Sequence, residues 1–294
     1  MKEGQTGIVA IVGPGAVGQM LAFYLQRIPY LGIQLIGRKG LVSLDTTVRC
    51  REQDQRLRLD VIPGTPHLLF LCVKSYDLNA ALETHLPVLP TSCPIVCLGN
   101  GYLEPLLAPW RERFPGRIWR KGIVTRGVRW DDQQRLTVSA LGEVVWGADS
   151  SPTFLEQRIT HHLAADGLRW SAASCELRRE KWFFNTVLNT IAGAYRLPSN
   201  GDAVRLFAHD LERLAQEVFA LSREIWPDWR PSWTVLWTKL EQLIKTTASN
   251  ENSMARDVRI GRKTEADVLS GLVLRTKNPQ AYPLLLELHR KLPS

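Results

Sequence analysis

The amino-acid sequence predicts an α/β protein: an N-terminal doubly wound parallel sheet followed by an all-α C-terminal domain. Three observations carry that prediction. The apolar, largely β-branched run Gly7-Ile8-Val9-Ala10-Ile11-Val12 suits a central strand buried on both faces. It passes directly into Gly13-Pro14-Gly15-Ala16-Val17-Gly18 and then into the helical spacing of Met20, Leu21, Tyr24 and Leu25. From about Ser174 onward the pattern turns to long helices with almost no strand signal, dividing the chain into residues 1–173 and 174–294. Length agrees, because 294 residues at about 150 per domain give two domains.

Hydrophobic content of 45% beside 22% charged residues describes a globular chain, not a disordered one. No stretch reaches the ~18 apolar residues of a membrane span. Met1-Lys2-Glu3 leads into the first strand with no cleavage signal, so the expectation is a soluble, cytoplasmic protein with no membrane partner. The five cysteines are scattered through apolar runs and read as reduced thiols; Cys93 and Cys97 lack zinc-site spacing, and no metal is expected. A net charge of +8 favours an anionic partner. Its basic residues alternate with apolar ones and the tryptophans are not interleaved with them, so nucleic acid is not the expected partner.

Strand, glycines, then helix is the setting of a dinucleotide loop, and it makes the sheet Rossmann-like. Gly13 permits the tight turn, Gly15 lets backbone approach a pyrophosphate, and Gly18 lets helix and strand pack closely, with the phosphates at the positive end of the helix dipole. A chance glycine turn is the plainer alternative. A second strand over 33–36 ends in Gly37-Arg38-Lys39. An acid there would grip ribose hydroxyls, whereas a cation accommodates a 2′-phosphate, so Arg38 and Lys39 predict NADP(H) over an ordinary basic turn.

The segments 46–50 and 56–62 alternate polar with apolar residues and predict a hairpin beside the sheet. Buried strands over 67–73 and 94–98 end at Lys74 and at Gly99-Asn100-Gly101. Ligands of open parallel sheets lie beyond the strands' carboxyl ends, which puts Lys74 and Asn100 on the cofactor's edge; Asn100-Gly101 also reads as a plain turn. Pieces over 118–128, 135–139 and 143–146 predict an antiparallel extension of the sheet. Residues 154–165 have helical spacing with His161 and His162 on the exposed side, and 168–170 reads as an edge strand.

In the helical part, Lys181, Asn185 and Asn189 fall at i, i+4 and i+8 and share one stripe about 80° wide. Trp182, Phe183, Val187, Leu188 and Ile191 take the apolar positions around it. An ammonium and two amides on one stripe can bind a ligand. The other account is two structural amides beside a snorkelling lysine. A long helix over 203–225 precedes an aromatic, proline-broken connection over 226–233 that suits core or dimer packing. Ser249-Asn250-Glu251-Asn252-Ser253-Met254 is rich in capping residues, and a helix beginning there would receive a carboxylate. Thr264-Glu265-Ala266-Asp267 reads as a capping box restarting a helix weakened at Gly261, with Glu265 as a first-turn acid.

With these pieces assembled, the chain resembles the ketopantoate reductase (2-dehydropantoate 2-reductase) family over nearly its whole length. The glycine loop is common to many dehydrogenases. Asn200-Gly201 and the Asn250 to Met254 segment with Asp257 also match, and the Lys-x3-Asn-x3-Asn helix followed by Ser253-Met254 and Thr264-Glu265 is far more specific. The resemblance implies reduction of ketopantoate to pantoate with NADPH, on the route to pantothenate and coenzyme A. It implies Lys181 as general acid, with Asn185, Asn189, Asn200, Asn250 and Ser253 holding the substrate. Lys74, Asn100 and Glu265 would line the nicotinamide side, Glu265 also serving catalysis and Asn100 also meeting substrate, and Val128 would flank the cofactor. The sequence departs from the family at Trp182, in the longer loop before Asn200, and in Thr125-Arg126-Gly127-Val128-Arg129.

A fixed ammonium near a ketone oxygen stabilises the negative charge that hydride addition builds there, more in the transition state than in the ground state. The rivals are an NADP-dependent reductase of another 2-oxo acid and a non-catalytic NADP(H)-binding regulator; a pure binder has no need of the proton donor Lys181. A homodimer through the helical domain, using the aromatic segment 226–237, is the expected assembly.

Overall fold

All six residues of β1 (Gly7–Val12) are buried, as a continuous apolar run requires when both faces of a sheet are covered. The structure is a computed structural model describing residues 7–293, so the expectation drawn from Met1-Lys2-Glu3 lies outside the described residues. Helix α1 (Ala16–Leu25) follows, then β2 (Leu31–Gly37) parallel to β1 and the short antiparallel edge β3 (Gly40–Leu41). After the hairpin β4 (Leu44–Cys50) and β5 (Gln53–Leu59), the chain returns on the other side of β1 as β6 (Leu68–Leu71). Helix α2 (Leu78–His85), β7 (Ile95–Cys97), α3 (Glu104–Arg113) and β8 (Trp119–Val124) extend the parallel sheet. Strands β9 (Val128–Trp130) and β10 (Leu136–Val138) leave it; β11 (Val144–Gly147) rejoins antiparallel to β8, and after α4 (Phe154–Leu163) the edge strand β12 (Leu168–Trp170) lies parallel to β11.

The strand order β12-β11-β8-β7-β6-β1-β2-β3 reverses direction between β1 and β6. That is the topological switch point at which open α/β sheets take ligands, and it lies beside the glycine loop. The expected antiparallel extension is corrected here: β8 runs parallel to β7, and of the strands beyond β7 in this sheet β11 opposes β8 while β12 runs parallel to β11.

The hairpin lies beside β2, as expected, but is not paired into this sheet. It joins β10 and β9 in a separate four-stranded sheet of order β5-β4-β10-β9. Its turn is Arg51-Glu52, both at positive φ (50° and 63°), the backbone of a tight two-residue hairpin. The reason for the second sheet is α1, which buries eight of its ten residues and must be covered on both sides. Val48, Leu57, Leu136 and Val138 of the small sheet enter the same core as Met20, Leu21 and Phe70. Trp146 closes that core, packed edge-on against Phe70 at 5.6 Å and 83°. Truncating such an aromatic costs about 3–5 kcal/mol.

By compactness the chain divides into Met1–Gly99 with Glu104–Arg178, and Asn100–Leu103 with Arg179–Ser294. The division falls within helix α5 (Ser174–Ala194) and gives a four-residue strap to the second unit.

The second unit is helical: most of α5, then α6 (Asn200–Ile225), α7 (Trp233–Thr246), α8 (Ser253–Arg259) and α9 (Pro283–Arg290), with 3-10 turns between the last two. Trp182, Phe183, Val187, Leu188 and Ile191 are all buried, in one core with Leu214 and Val218 of α6, Leu240 of α7 and Leu285 of α9. Helix α6 starts at Asn200, earlier than expected, and breaks at Phe207 (φ −137°, ψ 34°), whose ring stacks on Tyr195 at 4.1 Å. The expected capping box at Thr264 does not form. Thr264 Oγ1 accepts from the Ala266 N–H at 3.3 Å and donates to the Pro293 carbonyl at 2.8 Å, so only a three-residue 3-10 turn follows, and Glu265 is buried instead of being a solvated first-turn acid. Among the described residues no helix is long and apolar enough to cross a membrane.

Candidate active site

The first unit contributes a backbone site. Gly13 has φ +104°, and a Cβ on it would lie 2.9 Å from the backbone C and O of Cys72, because the turn leaves β1 tight against the end of β6. A Cβ on Gly18 would sit 2.0 Å from the Gly13 carbonyl oxygen, so the third glycine is what allows α1 to close onto the turn. Gly15 is the N-cap of α1, with no atom within 4 Å of where its Cβ would be. Pro14 is held by the Gln19 amide donating to its carbonyl at 2.8 Å, while Ala16 and Val17 form the first helical turn. Open space over Gly15, at the positive end of the α1 dipole, fits a pyrophosphate.

Arg38, Lys74 and Val128 are the other residues expected to hold the cofactor. Arg38 follows β2 directly, and its Nη2 donates to both carboxylate oxygens of Asp77 at 3.1–3.2 Å. Lys74 is half-buried and precedes the 3-10 turn Ser75–Asp77 beyond β6. Val128 opens β9, paired with Val138 and packed against the first unit's core. Burial pushes the Cys93 thiol up to about 12 and the Cys97 thiol to about 11, so neither is a thiolate near neutrality.

The second unit contributes a side-chain site. Asn100 is its centre: its Oδ1 accepts from Lys181 Nζ at 2.7 Å, and its Nδ2 donates to Glu265 Oε2 at 3.0 Å. The strap Asn100–Leu103 is pinned to the turn after Glu265. The Val268 carbonyl accepts from Tyr102 N at 2.8 Å and from Trp182 Nε1 at 3.2 Å, and Gly101 (φ +81°) is required because a Cβ would strike Val268 Cγ2 at 2.4 Å. Trp182, a departure from the family pattern, is thus an anchor, and it also meets Trp226 edge-on at 5.0 Å. The cation, amide and carboxylate are set by one small hydrogen-bonded layer, not by three separate loops.

Further along α5 a second cluster forms around a residue that sequence reasoning did not select. Asn252 is 5% exposed and uses both ends of its amide. Nδ2 donates to Asn189 Oδ1 at 3.0 Å and to Asn200 Oδ1 at 3.1 Å, while Oδ1 accepts from the Met254 and Ala255 N–H groups. That arrangement turns the Asn189 amide so that its N–H2 end is the one left to bind something. Asn200 also donates to Thr247 Oγ1 at 3.1 Å, so its amide is engaged at both atoms. The first N–H groups of α8, expected to receive a carboxylate, are taken by Asn252. The signal that could have found it was its place as N-cap of that helix.

Asn185 lies between the two clusters on the same stripe, half-buried, with no hydrogen bond among the described residues. Asn250 and Ser253 are exposed; only Asn250's backbone is fixed, accepting from Asn200 N at 3.0 Å and donating to Thr247 O at 2.8 Å. Lys181, Asn100 and Glu265 are therefore together, Asn189 and Asn200 are linked through Asn252, and Asn250 and Ser253 stand at the edge.

The sequence and fold have relatives that match this division. The model of the ketopantoate reductase PanE/ApbA family matches residues 9–151, and that of its C-terminal region matches residues 175–278. The chain is 28% identical over 281 residues to a 2-dehydropantoate 2-reductase of Yersinia pestis, covering 91% of this chain and 87% of that one. A PanE/ApbA family ketopantoate reductase from Ralstonia eutropha JMP134 superposes with a TM-score of 0.79 at 22% identity over 96% of both chains. A dimeric ketopantoate reductase from Staphylococcus aureus gives 0.76 at 17% identity, again over 96% of both. Those structural likenesses establish a Rossmann-like domain followed by a helical one. With both family models matched in order, one over the glycine loop and the other over the Lys181 helix, the chain belongs to the ketopantoate reductase family.

Proposed function

We propose that this protein is an NADPH-dependent 2-dehydropantoate 2-reductase, reducing ketopantoate to pantoate, and that it works in the cytoplasm. Lys181, hydrogen-bonded through Asn100 to the buried Glu265, is the observation that carries the reading, because it is a proton donor fixed in place by an amide and a carboxylate. The first unit holds the cofactor on Gly13, Gly15 and Gly18, with the Ala16 and Val17 N–H groups toward its phosphates and Arg38 toward its ribose. Lys74 and Val128 border it.

NADPH, when bound, supplies the hydride that adds to the 2-oxo carbon. Lys181 polarises the ketone oxygen and gives it a proton as the alkoxide develops, leaving a 2-hydroxy acid. Asn100 holds Lys181 Nζ and meets the substrate, and Glu265 orients Asn100 and balances the ammonium. Asn185 and the free N–H2 end of Asn189 donate to the substrate's carboxylate and hydroxyl oxygens, joined by Ser253 and Asn250. Asn200 acts through Asn252. The 2-oxo acid reading is preferred over a pure cofactor binder because a second network of hydrogen bonds, Asn189 and Asn200 on Asn252, is built along α5 beyond the residues assigned to the nicotinamide side.

The assay is NADPH absorbance on adding ketopantoate, beside pyruvate, 2-oxoisovalerate and oxaloacetate. Preferred consumption with ketopantoate is expected; preference for another 2-oxo acid would move the substrate assignment, and no consumption with any would refute the reductase. We further propose a homodimer through the helical unit, where Trp233 and Trp237 stack at 5.6 Å beside the exposed Val235 on α7. Sedimentation of the wild-type protein and of Val235→Glu tests this, the variant being expected to shift toward monomer.

A further inference from the structure

We infer that Asp77 sets the cofactor preference of this protein, tempering selectivity for a 2′-phosphorylated dinucleotide and giving an unphosphorylated ribose an acceptor. The inference rests on the reading of Arg38 as the ribose-end contact. Asp77 is the last residue of the 3-10 turn Ser75–Asp77 and the N-cap of α2, with φ −94° and ψ −5°. Those helical dihedrals run the 3-10 turn straight into α2, so the carboxylate is not aimed at the helix's first N–H groups. It makes no side-chain cap, and both oxygens go to Arg38 Nη2 instead, at 3.1 and 3.2 Å.

Stability does not explain the pair. Arg38 is 88% exposed and Asp77 37%, and an ion pair so open to solvent contributes little to stability. What the pair does is place an anion beside Arg38, the cation assigned to the ribose end.

The consequence follows from charge. Asp77 occupies only the Nη2 edge of the guanidinium, so the Nε and Nη1 N–H groups remain for a second acceptor. A 2′-phosphate arriving there brings nearly two negative charges next to an existing carboxylate, a repulsion that offsets part of what Arg38 gains. A 2′-hydroxyl meets the opposite situation, because the Asp77 carboxylate can accept its proton as the acid after the second strand does in NAD-binding sheets. Arg38 and Asp77 therefore pull the preference in opposite directions, which narrows the margin by which the phosphorylated dinucleotide is favoured.

The test uses calorimetric binding of 2′,5′-ADP and 5′-ADP, fragments that report on the ribose end without turnover. Replacing Asp77 by Asn should tighten 2′,5′-ADP and weaken 5′-ADP, widening the ratio of their affinities by about tenfold. Asp77→Glu, which keeps the carboxylate, should stay near the wild-type ratio, and Arg38→Ala should lose 2′,5′-ADP selectively. An unchanged ratio in Asp77→Asn while Arg38→Ala remains selective would overturn the inference alone. If Arg38→Ala weakens both fragments equally, the ribose-end reading of Arg38 falls and the inference with it.

Discussion

On the proposed function, the glycine loop of the first unit and the α5 stripe of the second each hold a small molecule in a fixed place, and they are built from opposite materials. The loop is made of missing atoms. At Gly13 and Gly18 the space a Cβ would need is filled by backbone, which cannot move aside. The stripe is made of side chains that hold one another: Lys181 on Asn100 on Glu265, and Asn189 and Asn200 on Asn252. Backbone geometry resists gradual change, whereas a side-chain network can lose one member and keep its fold. Damage to the two should therefore be distinguishable, affinity for cofactor failing in one and turnover in the other.

Lys181→Ala should give the largest effect, a fall in kcat of about a thousandfold, within the range for loss of a general acid, with NADPH affinity measured by fluorescence left near wild type. Gly13→Ala should do the reverse. It forces a side chain into a left-handed conformation against Cys72, so we expect about 1–3 kcal/mol of destabilisation by thermal unfolding together with weakened NADPH binding.

Asn252→Ala sharpens the comparison within the stripe. Its removal should lower kcat/KM by roughly tenfold through misplaced Asn189, and stability by about 1 kcal/mol through the lost cap. Asn252→Ser separates the two, since serine can cap α8 but cannot donate to two carbonyl oxygens. It should recover the stability and leave kcat/KM low.

The smallest effect lies away from both sites. Asp202, in the capping box that opens α6, is held below the usual carboxylate range first by Arg205 and then by Ser199. A carboxyl with a lowered folded-state pKa adds stability above its unfolded value of about 3.9 and loses it as pH falls through the folded value. Unfolding curves of wild type and Asp202→Asn should thus differ slightly at pH 7 and converge below pH ~3.

How much of this the sequence disclosed depends on whether the cause was local. The loop after β1 was legible because strand run, glycines and helix period occur within about twenty residues, and each acts on its neighbours. The Lys181 stripe was legible because helical spacing alone puts the three side chains on one line. The small sheet was not. Its hairpin turns at Arg51-Glu52 with positive φ but without the glycine or asparagine that normally announces such a turn, and its partner strands lie some eighty residues away. The transfer of Asn100–Leu103 to the helical unit was equally hidden, since it depends on hydrogen bonds to Val268 far along the chain. Asn252 was visible as one of a run of capping-type residues, but a cap has no visible second partner, and Asp77 carried no signal at all. What each one touches, Asn189 and Asn200 in one case and Arg38 in the other, is a tertiary fact.

On the proposed function, the protein reduces ketopantoate with NADPH. A single-turnover experiment tests it most directly: protein saturated with a stoichiometric amount of NADPH is mixed with ketopantoate while NADPH fluorescence is followed and pantoate is measured in the quenched sample. We predict complete loss of the fluorescence with one pantoate formed for each NADPH oxidised. Bound NADPH that persists in the presence of ketopantoate, with no pantoate formed, would contradict it.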